Sequence, residues 1–174
     1  FLQFHCETSQ EVLDSILIAY RLAEDAKILL PAIVNLDGFY LSFTRESVEL
    51  PEASEVNEFL PSFTPAYPTL SSEQPAALGA AVLDSSLYSY FKHQMHHGSD
   101  NALARYPSIA AEFAARFGRR HDIVEAYLLD DADYVFVMTN SFASMGKAEI
   151  KRLRNAGKKV GLARLRMIRP FPHA

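Results

Sequence analysis

An α/β fold is predicted by three features: a helix-start signature ahead of an apolar stripe, an apolar run closed by a turn, and a strand, helix and strand in succession near the end. Strand-like and helix-like segments alternate along the chain, which is the pattern of a parallel sheet covered by helices.

Thr8-Ser9-Gln10-Glu11 has the form of a capping box, with the Thr8 hydroxyl placed for the Glu11 amide and the Glu11 carboxylate reaching back. A helix is expected from there to Glu24-Asp25. Val12, Leu13, Ile16, Leu17 and Tyr20 recur three and four apart and form one apolar face. Residues 27–36 are too apolar for a half-solvated strand, so a parallel strand covered on both faces is expected, although Pro31 removes a ladder donor. Asp37-Gly38 ends it as a turn.

From 49 to 75 the periodicity fails and five prolines punctuate a polar and aromatic stretch, at 51, 61, 65, 68 and 75. An ordered connector is expected there. Residues 87–97 read as a short helix closed by Gly98, and Ile109, Phe113 and Phe117 as the stripe of another short helix before Gly118. Residues 134–138 read as a buried strand, Thr139-Asn140-Ser141 as a turn, 143–156 as a helix stopped by Gly157, and 159–168 as a second strand, together one β-α-β unit.

Composition narrows the function. The 174 residues are 49% hydrophobic and 22% charged, which describes a globular chain able to bury a core. A formal net charge of -4 and a pI near 5.9 give no basic face for nucleic acid. No apolar run approaches the roughly 20 residues that span a bilayer, so no membrane anchor is expected. The single cysteine, Cys6, excludes a disulfide framework and a thiolate-held iron–sulfur cluster within these residues, and fits a reducing cytoplasm. The chain starts at Phe1 in an apolar stretch and stops just after a strand-like run, and both ends read as cuts through a larger protein.

Three stretches, in order, resemble the α subunit of the thiamine-diphosphate-dependent 2-oxoacid:ferredoxin oxidoreductases. Residues 1–25 resemble the family's passage into a Ser-Gln-Glu helix, and Leu36-Asp37-Gly38-Phe39 its Leu-Asp-Gly-Phe segment. Asp131-Ala132, the turn at 139–141, Lys159-Val160-Gly161 and Arg169-Pro170-Phe171 resemble the opening of its second domain, which is similar to the transketolase C-terminal domain. The resemblance implies the end of a pyrimidine-binding thiamine-diphosphate domain at 1–50, a connector at 51–120, and the first part of a transketolase C-terminal-like domain at 121–174. It also implies a cytoplasmic hetero-oligomer that oxidatively decarboxylates a 2-oxoacid, pyruvate by default and a branched-chain or aryl acid as the alternative. Coenzyme A would take the acyl group, and ferredoxin or a similar acceptor the electrons. Thiamine diphosphate and Mg²⁺ would bind in the full assembly and the iron–sulfur clusters on other domains or subunits. The activating glutamate and the substrate loop would lie outside these residues, so the isolated chain should bind no cofactor and turn nothing over. The competing reading is a noncatalytic transketolase-like assembly domain.

Two departures bear on candidate residues. Phe43 stands where the family usually has histidine, exchanging a hydrogen-bonding ring for an apolar one that suits a bulkier substrate or packs beside Phe39 and Tyr40. Asn140 stands where the family usually has glycine, and asparagine tolerates the left-handed turn. Asp37 is a candidate substrate-pocket carboxylate, with a turn cap as its ordinary role. Ser141, at a helix start with free amides, is a candidate anion contact or a cap. Arg164 and Arg166, near Arg169 on one strand face, are candidates for an anion on another chain or for pairing with carboxylates at a subunit contact. His93, His96 and His97 lack a convergent acidic or cysteine ligand and read as a solvated helix end. The Ser-x-x-Lys at Ser144 and Lys147 has no companion motif and is set aside.

Overall fold

The computed structural model describes residues 1–76 and 85–173, and they form two small α/β units. Strand β1 (Leu2–His5) leads into α1 (Ser9–Ala23) and β2 (Ala32–Asn35). A short α2 (Ala53–Phe59) and a long α3 (Ser85–Phe117) follow. The second unit carries β3 (Val124–Tyr127), β4 (Tyr134–Met138), α4 (Phe142–Asn155) and β5 (Val160–Leu165), and the chain then enters β6 (Met167–Arg169).

The first sheet has the order β2-β1-β6, with β1 and β2 parallel and β6 antiparallel to β1. Helix α1 starts where the sequence places it, because the Thr8 side chain accepts from the Glu11 amide at 3.2 Å. The Glu11 carboxylate reaches one residue further back than a standard capping box, to the Glu7 amide at 2.8 Å. Leu2 and Phe4 point to the same side of β1 by strand alternation and are fully buried. They pack in one core with Ile18 and Leu22 of α1, Phe59 of α2, and Tyr106, Ile109 and Phe113 of α3.

The expected strand at 27–36 is shorter and less covered than its composition implied. Ile28 and Leu30 are buried in the turn before the strand, and β2 itself is an edge whose Ile33 is 44% exposed. Pro31 sits at the entry, where its carbonyl accepts from the Leu2 amide at 2.7 Å and its missing N–H costs nothing. The two short helices expected around Gly98 are one helix, α3, with Pro107 inside it. Gly98 is there for close approach: a Cβ at that position would lie 2.9 Å from the Ile28 carbonyl oxygen. Gly118, at φ 71, stops α3 in the left-handed conformation.

The β-α-β unit is present, with β4 and β5 parallel and α4 between them, but the strands differ from expectation. The sheet order is β3-β5-β4, so β5 is central and β4 is an edge, with Tyr134 74% and Val137 64% exposed. The run expected as one strand at 159–168 is divided at Arg166, its first part in the second sheet and its last in the first. That crossing joins the two units. It also takes Arg169 away from Arg164 and Arg166, to a place over the Phe1 ring at 4.6 Å.

Candidate functional site

In open α/β sheets, ligand chemistry collects at the carboxyl ends of parallel strands. Here β1 and β2 end at His5 and Asn35, β4 at Met138 and β5 at Leu165, and side chains from just beyond these ends meet across the two units. Asp37, two residues past β2, places its carboxylate at the amino end of α4. It accepts from the Ser141 amide at 2.7 Å, from the Ser141 hydroxyl, and from the Asn140 side-chain nitrogen at 2.9 Å. Asn140, at φ 59, also presents its side-chain oxygen to His5 Nδ1 at 2.7 Å. The free amide and hydroxyl at the start of α4 thus hold an anion supplied by the chain itself. Asp37 and Ser141 are partners, and the Asp37 carboxylate caps a helix 104 residues away.

Beside this junction lies a network of six charges. Arg164 and Arg166 are 1% and 4% exposed. Arg164 faces Glu11 at 2.9 Å, Glu125 at 2.8 Å and Glu7 at 3.1 Å, while Arg166 pairs with Glu11 and reaches Glu125 at 3.5 Å. Lys147 completes it through Glu7 and Glu125, and Ser144 donates to Glu7 at 2.7 Å. Three carboxylates offset three cations, which is the condition for burying such groups. Burial pushes the Glu11 carboxyl up, but Arg166 and Arg164 more than reverse this and hold it below its ordinary value. The same contest, with Lys147 and Arg164 against burial, lowers Glu125.

The network opens on a polar cleft of about 630 Å³, lined also by Asp14, Arg119 and His121. Asp14, fully buried, takes His121 Nε2 at 2.8 Å and Arg119 at 2.7 and 3.0 Å. Burial acts to raise its carboxyl, and the bonds from His121 and Arg119 bring it from 3.8 to about 2. Cys6 is shut off from chemistry, its thiol pushed up to about 12 by burial. A second cavity of about 630 Å³ lies between α1 and the β2 edge and is largely apolar, with Ile16, Leu30, Phe63 and Tyr67 in its lining.

The family described as "Pyruvate flavodoxin/ferredoxin oxidoreductase, thiamine diP-bdg" matches residues 1–110, and "Pyruvate:ferredoxin oxidoreductase core domain II" matches residues 132–174. The chain belongs to the pyruvate:ferredoxin oxidoreductase family. Pyruvate synthase subunit PorA of Thermotoga maritima is 40% identical over 175 residues, 99% of this chain and 44% of that protein. PorA of Pyrococcus abyssi is 37% identical over 172 residues, 99% and 43% respectively. Ketoisovalerate oxidoreductase subunit VorA of Pyrococcus abyssi is 36% identical over 173 residues, again 99% and 43%. The chain spans less than half the length of these curated relatives.

Glu7, Glu11, Glu125 and Asp37 are each engaged by cations or by α4, and among the described residues no group of three or more His, Cys, Asp or Glu side chains is placed to hold a metal. Phe43 lies apart from the charges. It is 76% exposed and stacks on Phe39 with ring centroids 4.9 Å apart, on the turn whose Tyr40 meets the Phe142 ring of α4 edge-on at 5.9 Å. His93, His96 and His97 are exposed on α3. Sequence reasoning did not single out Glu7, Glu11 or Glu125 as members of a site, and it set Ser144 and Lys147 aside. The available signal was the two-residue spacing of Arg164 and Arg166 at the end of a strand, which puts both charges toward one face.

No helix among the described residues is long and apolar enough to cross a membrane.

Proposed function

We propose that the chain is part of the α subunit of a thiamine-diphosphate-dependent 2-oxoacid:acceptor oxidoreductase, working in the cytoplasm within a hetero-oligomer. The reaction is oxidative decarboxylation of a 2-oxoacid, with coenzyme A taking the acyl group and ferredoxin or a similar acceptor the electrons. The observation that carries this reading is the two family matches, in order, along the chain, together with relatives named for pyruvate and for ketoisovalerate at nearly equal identity. That balance supports the substrate class, with pyruvate as its default member.

Within this reading, the residues described here hold a joint. Thiamine diphosphate, when bound, supplies the carbanion chemistry, and the side chains that would hold it and its Mg²⁺ belong to segments or subunits outside this chain. Asp37, Ser141, Arg164 and Arg166 bind the two α/β units to each other. Phe43, on the exposed aromatic turn, is the substrate-pocket side chain of the proposal.

The test is 2-oxoacid- and coenzyme-A-dependent reduction of a viologen dye by the protein purified with its partner subunits. Turnover is expected, and none with any 2-oxoacid would overturn the proposal in favour of a noncatalytic assembly domain. In the same assay, Phe43→His should shift the ratio of specificity constants for pyruvate and an aryl 2-oxoacid, roughly tenfold for about 1.4 kcal/mol of differential binding. Constants that fall together would make the ring structural.

A further inference from the structure

Three of the four strands that end at this junction, β1, β2 and β4, are tied to one another by a single side chain. Asn140 lies at φ 59, a conformation that glycine adopts freely and asparagine only tolerates. Its amide is used at both ends. The oxygen accepts from His5 Nδ1 at the end of β1, and the nitrogen donates to Asp37 just past β2. Asn140 itself follows β4. The bridge needs an acceptor toward His5 and a donor toward Asp37 from one short side chain in a left-handed turn. Among residues that accept that backbone, asparagine offers both, aspartate lacks the donor and glycine lacks the side chain.

We propose that Asn140 is a positioning residue. By fixing the Asp37 carboxylate against the start of α4, it holds the turn at 38–43, and with it the Phe39–Phe43 aromatic pair, in register with the second α/β unit. The Asp37 backbone carbonyl accepts from the Leu41 and Ser42 amides at 3.2 Å each, so the residue whose side chain is held by α4 also organises the turn. Tyr40 against Phe142 is the second, apolar contact across the same line. The consequence for catalysis rests on the proposed function, because that reading places Phe43 at the substrate pocket.

The experiment compares Asn140→Gly and Asn140→Asp with the wild type, in the protein purified with its partner subunits, by amide hydrogen exchange and by steady-state kinetics. Both substitutions suit a left-handed turn, so the fold should be retained. Glycine relieves the backbone and removes the bridge, whereas aspartate keeps an acceptor for His5 and sets a second carboxylate against Asp37. The bridge predicts about tenfold faster exchange in peptides covering 37–43 and 139–144 for glycine, faster still for aspartate. It also predicts a raised KM for the 2-oxoacid with kcat little changed. Unchanged exchange in both variants, or greater protection in Asn140→Gly, would overturn the bridge. Faster exchange with an unmoved KM would overturn the positioning role. Absence of 2-oxoacid turnover in the wild type would sink the proposed function instead, and exchange would still decide the bridge.

Discussion

Arg164 shows what the joint demands of one residue. A guanidinium 1% exposed among Glu7, Glu11 and Glu125 is tolerable only while all three carboxylates remain, and the converse holds for them. Arg164→Met should therefore lower unfolding stability by about 3–5 kcal/mol, since it strands buried carboxylates rather than removing a whole network. Phe43→Ala, at an exposed ring, should change it by less than about 0.5 kcal/mol. Urea unfolding of the two variants separates them, and equal midpoints would contradict the network. Asp14 adds a pH dependence whose sign follows from its partners. Its folded carboxyl is lowered from 3.8 to about 2, so as pH falls the unfolded chain takes up a proton before the folded one does. The contribution is complete above about pH 4 and is lost between about 4 and 2. Glu11 and Glu125, lowered from 4.5, act in the same direction. Stability should fall steeply through that window in the wild type and less steeply in Asp14→Asn, and parallel profiles would contradict the assignment.

At the scale of elements, close backbone approach governs where glycine is needed. A Cβ on Gly161 in β5 would meet the Leu128 carbonyl oxygen at 2.4 Å, and backbone yields little, so Gly161→Ala should cost about 1–3 kcal/mol. Gly38 has nothing within 4 Å of its added Cβ, and Gly38→Ala should be near neutral or slightly stabilising by thermal unfolding. The reverse order would mean that the sheet packs differently. Gly98 marks where sequence reading failed for the same reason. Its role is set by Ile28, seventy residues earlier in the chain, and a local rule reads it as a helix stop. The elements written in local chemistry were legible: Thr8 as the cap of α1, Gly157 at φ 78 after α4, and a left-handed turn at Asn140. Strand β3, Val-Glu-Ala-Tyr, was not, because four residues with one charge carry too little periodicity. Nor was the exposure of β4, whose five apolar residues resemble a buried strand wherever they sit. At the site, Asp37 and Ser141 were visible as residue types. Their pairing was not, since it depends on how the units meet.

For the molecule as a whole, the two α/β units are joined by the crossing from β5 into β6, by the charge network and by the Asp37 cap, and these contacts lie near the carboxyl ends of the parallel strands, where an α/β sheet usually receives its ligand. Under the proposed function, these residues hold the joint and other parts of the assembly hold the cofactor. Calorimetric titration of the 174-residue chain with thiamine diphosphate and Mg²⁺, after circular dichroism establishes that it is folded, tests that separation most directly. No binding tighter than about 1 mM is expected. Saturable binding in the micromolar range would contradict it, and would place a cofactor ligand set within this chain.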